Sequence, residues 1–324
     1  MVLFQQKESN FRRLFARKEG GSLKVLNFGS LNLDYVYQVD HFVAKGETLA
    51  SLDLHTYCGG KGLNQSLALQ KAGVSVYHAG AVGQDGGMLL DTLREAGVDV
   101  SLVRELTQVR TGNAIIQNDR TGDNCILLYG GANRAIDPTM AASVLENFSE
   151  GDWLILQTEI SSLQEILALA REKGLRVVLN PSPVDENILK VEADSVQVLM
   201  LNEVEARAFV GQKDSNDALL AALQQRFPHT EIVLTLGEDG SLCAADGKLY
   251  RQSAYRVPVR DTTAAGDTFT GYYLSGRMQE KDPAQALETA SRASAIAVSR
   301  PGAAASIPTP DEVERFRRGE WIPD

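Results

Sequence analysis

Short apolar runs alternate with segments of helical spacing along most of the chain, and this alternation limits the fold more than any other feature. The β-rich runs are Val25–Phe28, Val74–His78, Trp153–Gln157, Arg176–Leu179, Val196–Leu201 and Ile232–Leu236. The segments with helical spacing are Leu63–Ala72, Met88–Ala96, Ser162–Lys173, Glu203–Phe209 and Asp217–Phe227. Buried strands joined by helices form a mostly parallel sheet covered on both faces. We therefore expect an α/β fold whose ligands bind at the carboxyl ends of the strands.

Two regions interrupt this alternation. Asp34–Tyr57 has β-rich pieces without a helix, and Asn113–Tyr129 alternates on both sides of the turn Asp119-Arg120-Thr121-Gly122, which is a hairpin pattern. We expect a small β lid formed by about residues 34–57 and 111–130, which would cover a site. The alternative is an edge extension of the main sheet. We assign residues 1–23 to a flexible N-terminal arm and 24–324 to one domain.

Charge and cysteine content exclude several classes of protein. The formal net charge of −10 argues against binding to nucleic acid or to an anionic membrane. The sequence has no apolar run long enough to span a membrane and no apolar segment typical of a secretory signal. Cys58, Cys125 and Cys243 are far apart and lack metal-ligand spacing. We therefore expect a protein of the cytoplasm.

A carboxylate follows a bend of small residues in the segment Asp261–Gly271. The small residues are Ala264, Ala265 and Gly266, and the carboxylate is Asp267. A helix pattern begins near Thr268, and the N-terminus of a helix binds anions. A carboxylate beside an anion site is useful if it takes a proton from a hydroxyl that attacks a bound phosphate. The alternative is that Asp267 caps the helix.

A second glycine-rich turn is Gly59-Gly60-Lys61-Gly62-Leu63-Asn64. Its glycines allow a polar ligand to approach the backbone closely. It is not a nucleotide-binding loop of the Walker type, because neither Ser nor Thr follows Lys61. It is not a dinucleotide-binding fingerprint either, since the third glycine of that motif is absent, and this argues against a dehydrogenase.

Polar residues also follow several predicted strands. They are Asn32 and Asp34, Glu159, Asn180, Asn202 and Glu205, and Thr235 with Gly237 and Gly240. Asn and Asp together suit a polyol, because they donate and accept hydrogen bonds. Asn202 and Glu205 share a helix face and could organise Mg²⁺ with its waters. The alternative for this pair is a capping box.

These motifs resemble those of the PfkB carbohydrate kinases, most closely the ribokinase group, over about Lys24 to Pro310. Asp261–Asp267 matches the C-terminal signature of that family, and Gly59–Asn64 matches its G-G-K-G-x-N motif. The resemblance implies a ribokinase-like fold, with a central, mostly parallel sheet flanked by helices and a small β lid. Because that lid often pairs between subunits in the family, a homodimer through the lid is also implied.

The resemblance further implies a role for individual residues. Asp267 corresponds to the catalytic base, and Ala264, Ala265 and Gly266 correspond to the anion hole. The implied sugar-binding residues are Asn32, Asp34, Gly60, Lys61, Gly62, Asn64 and Glu159. The implied nucleotide-side residues are Asn202, Glu205, Thr235, Gly237, Gly240, Gly266 and Ser291, the last standing where relatives often have Asn. The implied residues of a potassium site are Asp261, Thr263, Ala297, Arg300, Gly302 and Ser306.

The implied reaction is ATP-dependent phosphorylation of a primary hydroxyl of a sugar, with Mg²⁺ and an activating K⁺. The motif Gly60-Lys61-Gly62-x-Asn64 together with Asp34 favours D-ribose as the sugar. Alternatives are a fructokinase, a nucleoside kinase, or a sugar- or nucleotide-binding protein without catalysis. The intact Asp267 and its preceding bend argue against the last of these.

Overall fold

This computed structural model describes residues 23–121 and 123–321, whose strands form two separate sheets. The strands are β1 (Val25–Phe28), β2 (Asn32–Gln38), β3 (Asp53–Gly59), β4 (Val76–Gly83), β5 (Asp99–Leu106), β6 (Gly112–Asn118), β7 (Asn124–Tyr129), β8 (Trp153–Gln157), β9 (Arg176–Asn180), β10 (Val198–Asn202), β11 (Glu231–Thr235), β12 (Ser241–Ala245) and β13 (Lys248–Gln252). The α-helices are α1 (Lys61–Lys71), α2 (Gly87–Glu95), α3 (Pro138–Leu145), α4 (Leu163–Glu172), α5 (Glu203–Val210), α6 (Asn216–Arg226), α7 (Ala265–Met278), α8 (Pro283–Val298) and α9 (Pro310–Arg317).

The central sheet has the order β13-β12-β11-β10-β9-β8-β1-β4-β5. It is parallel from β11 to β5, whereas β12 and β13 run antiparallel. The predicted α/β fold with a mostly parallel sheet is therefore confirmed. The sequence pattern missed the β12–β13 hairpin, because the buried residues of β12 other than Leu242 are Ser, Cys and Ala. Asp246-Gly247 between these strands, with φ of 54° and 70°, is the turn signal that could have found it.

Side chains of the central strands alternate between two apolar layers. In β8, Leu154 and Leu156 pack in one layer with helices α3 to α6, whereas Trp153 and Ile155 pack in the other with α1, α2, α7, α8 and α9. This period of two places a helical layer on each face of the sheet. Both faces of the sheet are therefore covered, and a ligand is expected at the carboxyl edge of the strands.

Helix α7 crosses α1 at close range. A Cβ atom on Gly271 would lie 2.4 Å from the Cβ atom of Ala68, so only glycine permits this approach. At the far end of α7, the Arg277 guanidinium pairs with the buried Glu231 carboxylate of β11 at 2.7 Å. The crossing and the ion pair together fix where the first turn of α7 lies.

The small sheet has the order β3-β2-β6-β7. The chain enters it through β2, which begins at Asn32 shortly after β1 ends at Phe28. Strands β6 and β7 pair antiparallel from Asn113 opposite Tyr129 to Asn118 opposite Asn124. The predicted hairpin is therefore confirmed, and the alternative of an extension of the main sheet is wrong, because these four strands pair with one another.

Two expectations concern residues outside the described ranges. The predicted N-terminal arm lies there except for Leu23, and so does Gly122 of the predicted hairpin turn. Within the described part of the chain, none of the helices combines the length and the apolar character needed to cross a bilayer.

Candidate active site

A cavity of about 880 Å³ lies at the carboxyl edge of the central sheet, beside the small sheet. The last residues of three neighbouring strands line it, namely Asn180 of β9, Asn202 of β10 and Thr235 of β11. The small sheet contributes Asp34 and Val36 from β2. Of the strand-end residues predicted to lie together, Asn180, Asn202 and Thr235 therefore do so.

The first turn of α7 opens into this cavity. The helix begins at Ala265, earlier than the predicted start near Thr268, because Ala264 adopts φ of 60° and its carbonyl accepts the Thr268 N–H at 2.8 Å. N–H groups in the first turn of a helix lack partners within the helix. That of Ala265 donates to Thr262 O, whereas Gly266 lines the cavity with open space beside its Cα atom.

The Asp267 carboxylate is buried at the wall of the cavity, with the residue 7% exposed. Asn64 Nδ2 donates to its Oδ2 at 3.0 Å, and Gln65 Nε2 donates to its Oδ1 at 2.9 Å. The capping alternative for Asp267 is wrong, because the N-cap of α7 is Ala264 and Asp267 lies inside the first turn. A carboxylate placed so is available to a hydroxyl group in the cavity.

Gly60, Lys61 and Asn64 line the cavity, whereas Gly62 does not. A Cβ atom on Gly62 would lie 2.4 Å from Gly29 C and from Ser30 N, so this glycine lets α1 pack against the backbone that follows β1. Burial would lower the pKa of Lys61, but the nearby carboxylates of Asp267, Glu159 and Glu205 outweigh it and raise that pKa. The Lys61 ammonium therefore stays charged.

Two further carboxylates lie on the side of the small sheet. Burial, and then the charge of Glu159, raise the pKa of Asp34 from 3.8 to about 7. Glu159 Oε2 accepts hydrogen bonds from Ser30 Oγ and from the Lys61 N–H, the latter at 3.1 Å. A ligand that donates hydroxyl hydrogens to Asp34 would favour its ionised form.

Asn202 and Glu205 form a reciprocal capping box at the start of α5. The Glu205 N–H donates to Asn202 Oδ1 and the Asn202 N–H donates to Glu205 Oε2, both at 2.9 Å. Both residues also line the cavity. The capping alternative is therefore confirmed, and it leaves a carboxylate facing the site.

Other residues expected on the nucleotide side lie apart from the cavity lining. Gly237, Gly240 and Ser291 do not line it, although Thr235 does. A Cβ atom on Gly240 would lie 2.0 Å from Gln252 O, so this glycine serves the packing of the hairpin rather than an open surface. Ser291 is buried within α8.

Of the residues expected to bind potassium, some line the cavity and others do not. Asp261, Thr263 and Gly302 line the cavity, and the Asp261 carboxylate accepts the Thr263 N–H at 2.8 Å and the Gly302 N–H at 2.9 Å. Asp261 therefore ties two loops together. Ala297, Arg300 and Ser306 lie behind them, with Arg300 paired to Glu312 and Ser306 Oγ bonded to Ala303 O. In residues 23–121 and 123–321 we find no cluster of three or more His, Cys, Asp or Glu suited to a metal ion.

Sequence reasoning missed two groups of residues at this site. One is the apolar wall from the small sheet, formed by Val36, Ile116, Ile126 and Leu128. The other is a set of buried amides behind Asp267, formed by Asn27, Gln65 and Gln157. The buried amides could have been found from the sequence, because an amide side chain within or at the end of an otherwise apolar strand is unusual, as with Asn27 in β1.

A model of the pfkB carbohydrate kinase family matches residues 22–310. The chain belongs to the pfkB family of carbohydrate kinases. The family assignment made from the sequence motifs is therefore confirmed. A kinase must bind the sugar that accepts the phosphoryl group and the nucleotide that donates it in the same cavity.

Individual members of the pfkB family are similar over nearly the whole chain. A ribokinase of Haemophilus influenzae is 32% identical over 296 residues, which cover 89% of this chain and 96% of that protein. The crystal structure of a Cryptococcus neoformans ribokinase in complex with ADP is 33% identical, with a TM-score of 0.78 over 91% of this chain and 100% of that one. An Arabidopsis thaliana ribokinase complexed with ribose and ATP is 26% identical, with a TM-score of 0.79 over 91% of this chain and 99% of that one.

The raised pKa of Asp34 predicts a pH dependence of stability in the absence of ligands. Between its ordinary pKa of 3.8 and about 7, the folded protein keeps a proton that the unfolded chain has lost. The free energy of unfolding therefore falls as the pH rises through this range. Asp34→Asn removes the cost of ionising a buried carboxyl group. The stability of this variant relative to the unsubstituted protein should therefore be greater at about pH 8 than at about pH 5.

Thermal unfolding at the two pH values measures this difference. Asp91→Asn is the control, because Asp91 is exposed and forms a surface ion pair with Arg94. If Asp34→Asn changed the melting temperature by the same amount at both pH values, the prediction would be contradicted.

Proposed function

We propose that this carbohydrate kinase transfers the γ-phosphate of ATP to the primary hydroxyl of D-ribose, giving ribose 5-phosphate and ADP. One observation carries the proposal. Asp267 lines the same cavity as the polar groups expected to hold a sugar, and it lies in the first turn of α7, which is expected to hold a phosphate. The similarity to ribokinases, at 32% and 33% identity in two cases, supports ribose as the acceptor.

The sugar side offers both donors and acceptors for hydroxyl groups. Asp34 and Glu159 provide carboxylates, and Asn64 Oδ1 is buried without a partner within the described chain. Asn133 Nδ2 donates to Asn32 Oδ1 at 2.8 Å, which fixes the orientation of the Asn32 amide. A polyol would satisfy the Asn64 oxygen and replace water at the two carboxylates.

Phosphoryl transfer needs positioning more than a strong base. The sugar oxygen attacks the γ-phosphorus, the bond from that phosphorus to the bridging oxygen breaks, and ADP leaves with the electron pair. Asp267 accepts the hydroxyl proton as the new bond forms. The N–H groups of the first turn of α7 and the Lys61 ammonium stabilise the charge of the transferred group.

Mg²⁺ and K⁺ belong to the same proposal. Glu205 fits the role of holding Mg²⁺ through its waters, because it lines the cavity and its capping bond uses only Oε2. Mg²⁺ would neutralise the triphosphate when bound. Asp261 fits a role beside K⁺, because it fixes the relative position of the two loops whose carbonyls would bind that ion.

ADP release with a panel of acceptors tests the proposed reaction. The panel contains ribose, deoxyribose, fructose and a nucleoside, each with ATP and Mg²⁺. Ribose should give the highest kcat/KM. Asp267→Asn should retain ribose and ATP binding but lose at least about 10² in kcat, because no group then accepts the hydroxyl proton.

Asp311→Asn is the matched control, since Asp311 lies exposed in the first turn of α9. It should keep normal turnover. Near-normal turnover by Asp267→Asn would remove Asp267 from its role, and a clear preference for another acceptor would overturn ribose as the substrate.

Potassium dependence provides a separate prediction. Asp261→Ala releases the Thr263 and Gly302 N–H groups, so the two loops should no longer present their carbonyls to one ion. The variant should lose most of its activation by KCl, measured against tetramethylammonium chloride at equal ionic strength. Unchanged activation would contradict the assignment of this site.

The small sheet also supports a homodimer, which the same proposal includes. Strand β7 lies at the edge of the small sheet and exposes Ile126, Leu127, Leu128 and Tyr129, with Leu127 67% exposed. Ile126 and Leu128 also line the cavity, so Leu127 and Tyr129 on the opposite face are the apolar side chains available to a protein interface. Leu127→Lys/Tyr129→Lys places two charges on the face of β7 that does not line the cavity, and it should convert a dimer to a monomer in sedimentation analysis. Leu249→Lys, on the edge strand β13, should leave the dimer intact. A wild-type protein that is monomeric at all concentrations would contradict this prediction.

A further inference from the structure

We propose that Gln65 is a positioning residue for Asp267 and that Gln157 fixes the orientation of the Gln65 amide. This inference rests on the proposed function, in which Asp267 accepts the proton of the sugar hydroxyl. Neither glutamine lines the cavity, and both are fully buried. They therefore act through Asp267 rather than on the substrate.

Gln65 joins the carboxylate to the edge of the central sheet. Its Nε2 donates to Asp267 Oδ1 at 2.9 Å and to Asn180 Oδ1, at the end of β9, at 3.1 Å. The other carboxylate oxygen accepts from Asn64. With one amide on each oxygen, the carboxylate cannot rotate freely, and its remaining lone pairs are left for the cavity.

The Gln65 amide has only one useful orientation. An ionised carboxylate accepts hydrogen bonds and cannot donate them, so the Gln65 NH₂ group must face Asp267. The reversed amide would place its oxygen against the carboxylate. Gln157 Nε2 donates to Gln65 Oε1 at 2.7 Å, and this bond holds the carbonyl end of Gln65 away from Asp267.

Gln157 is itself oriented from within the sheet. Its Nε2 also donates to Asn27 Oδ1 of β1 at 2.9 Å. Asn27 Nδ2 in turn donates to Gly62 O at 2.8 Å and to Ser66 Oγ at 2.9 Å. A Cβ atom on Gly29 would lie 2.1 Å from Gln157 Oε1, so glycine at this position makes room for the amide.

The last member of this network is a neutral histidine. Burial lowers the pKa of His78 to about 3, so its Nδ1 can accept a hydrogen bond from Ser66 Oγ at 2.8 Å. The Gly62 carbonyl can only accept, so Asn27 presents its Nδ2 there and its Oδ1 to Gln157, and this sets the direction of the amide hydrogen bonds whichever nitrogen of His78 carries the proton. The direction agrees with an Asp267 that must accept at both oxygens.

Loss of this positioning should affect turnover rather than binding. Gln65→Met keeps the approximate size of the side chain and removes its hydrogen bonds. Because small displacements of a catalytic group reduce rate strongly, kcat should fall by about 10- to 100-fold while KM for ribose and for ATP changes little. Gln70→Met is the control, since it makes the same change on the same helix and removes only a bond from the Val76 N–H. It should keep the wild-type kcat.

A double-substitution cycle separates positioning from a general loss of stability. Gln157→Met should lower kcat in the same direction but less. Gln65→Met/Gln157→Met should be no slower than Gln65→Met, because Gln157 acts through Gln65. Independent, additive losses in kcat would overturn the role of Gln157, and a Gln65→Met variant with wild-type kcat would overturn the whole inference.

Melting temperatures and ribose affinity of each variant are measured alongside turnover. A fall in kcat that is matched by lost ribose binding, or that also occurs in Gln70→Met, would show a structural role only and would overturn the inference. If the wild-type enzyme prefers another sugar, the assignment of ribose fails. The same variants are then compared on that sugar, so the inference about Gln65 is still decided.

Discussion

The structure depends on a buried carboxylate that is held by two amides across a helix crossing. Asp267 is brought to α1 because Gly271 lets α7 approach Ala68 without a side chain between them. At that distance Asn64 and Gln65 each reach one carboxylate oxygen. A buried charge costs several kcal/mol unless hydrogen bonds compensate it. The two amides provide that compensation and leave the side of the carboxylate that faces the cavity free.

The topology explains why the two halves of the site meet at Asp267. Parallel strands end at one edge, so Asn180, Asn202 and Thr235 line one wall although they lie far apart in the sequence. Strand β2 follows β1 after a short connection and carries Asp34 over that edge in a second sheet.

The sequence predicted the parts of the fold that follow from periodicity. The bounds of β1 and β8 agree with the apolar runs, because these strands are buried on both faces. Strand β5 was missed, since an edge strand with Arg104 and Glu105 has no continuous apolar run. Local motifs predicted Asp267, Asn64 and Asp34 correctly as members of one cavity. They could not predict that Gly62 and Gly240 serve packing, because a glycine in a turn looks the same whether a ligand or another chain segment approaches it.

Most of the charged side chains that line the cavity are acidic, which supports a role for bound cations in the proposed kinase reaction. Among the described residues, the acidic side chains that line it are Asp34, Asp119, Glu159, Glu205, Asp261 and Asp267, against the basic Lys61 and Arg260. A triphosphate that enters such a cavity alone would meet a negative field from most directions. The first turn of α7 and Lys61 offset part of that field. Cations beside Glu205 and the Asp261 loop would compensate the rest, so the electrostatics of the cavity supports the proposal of Mg²⁺ and K⁺.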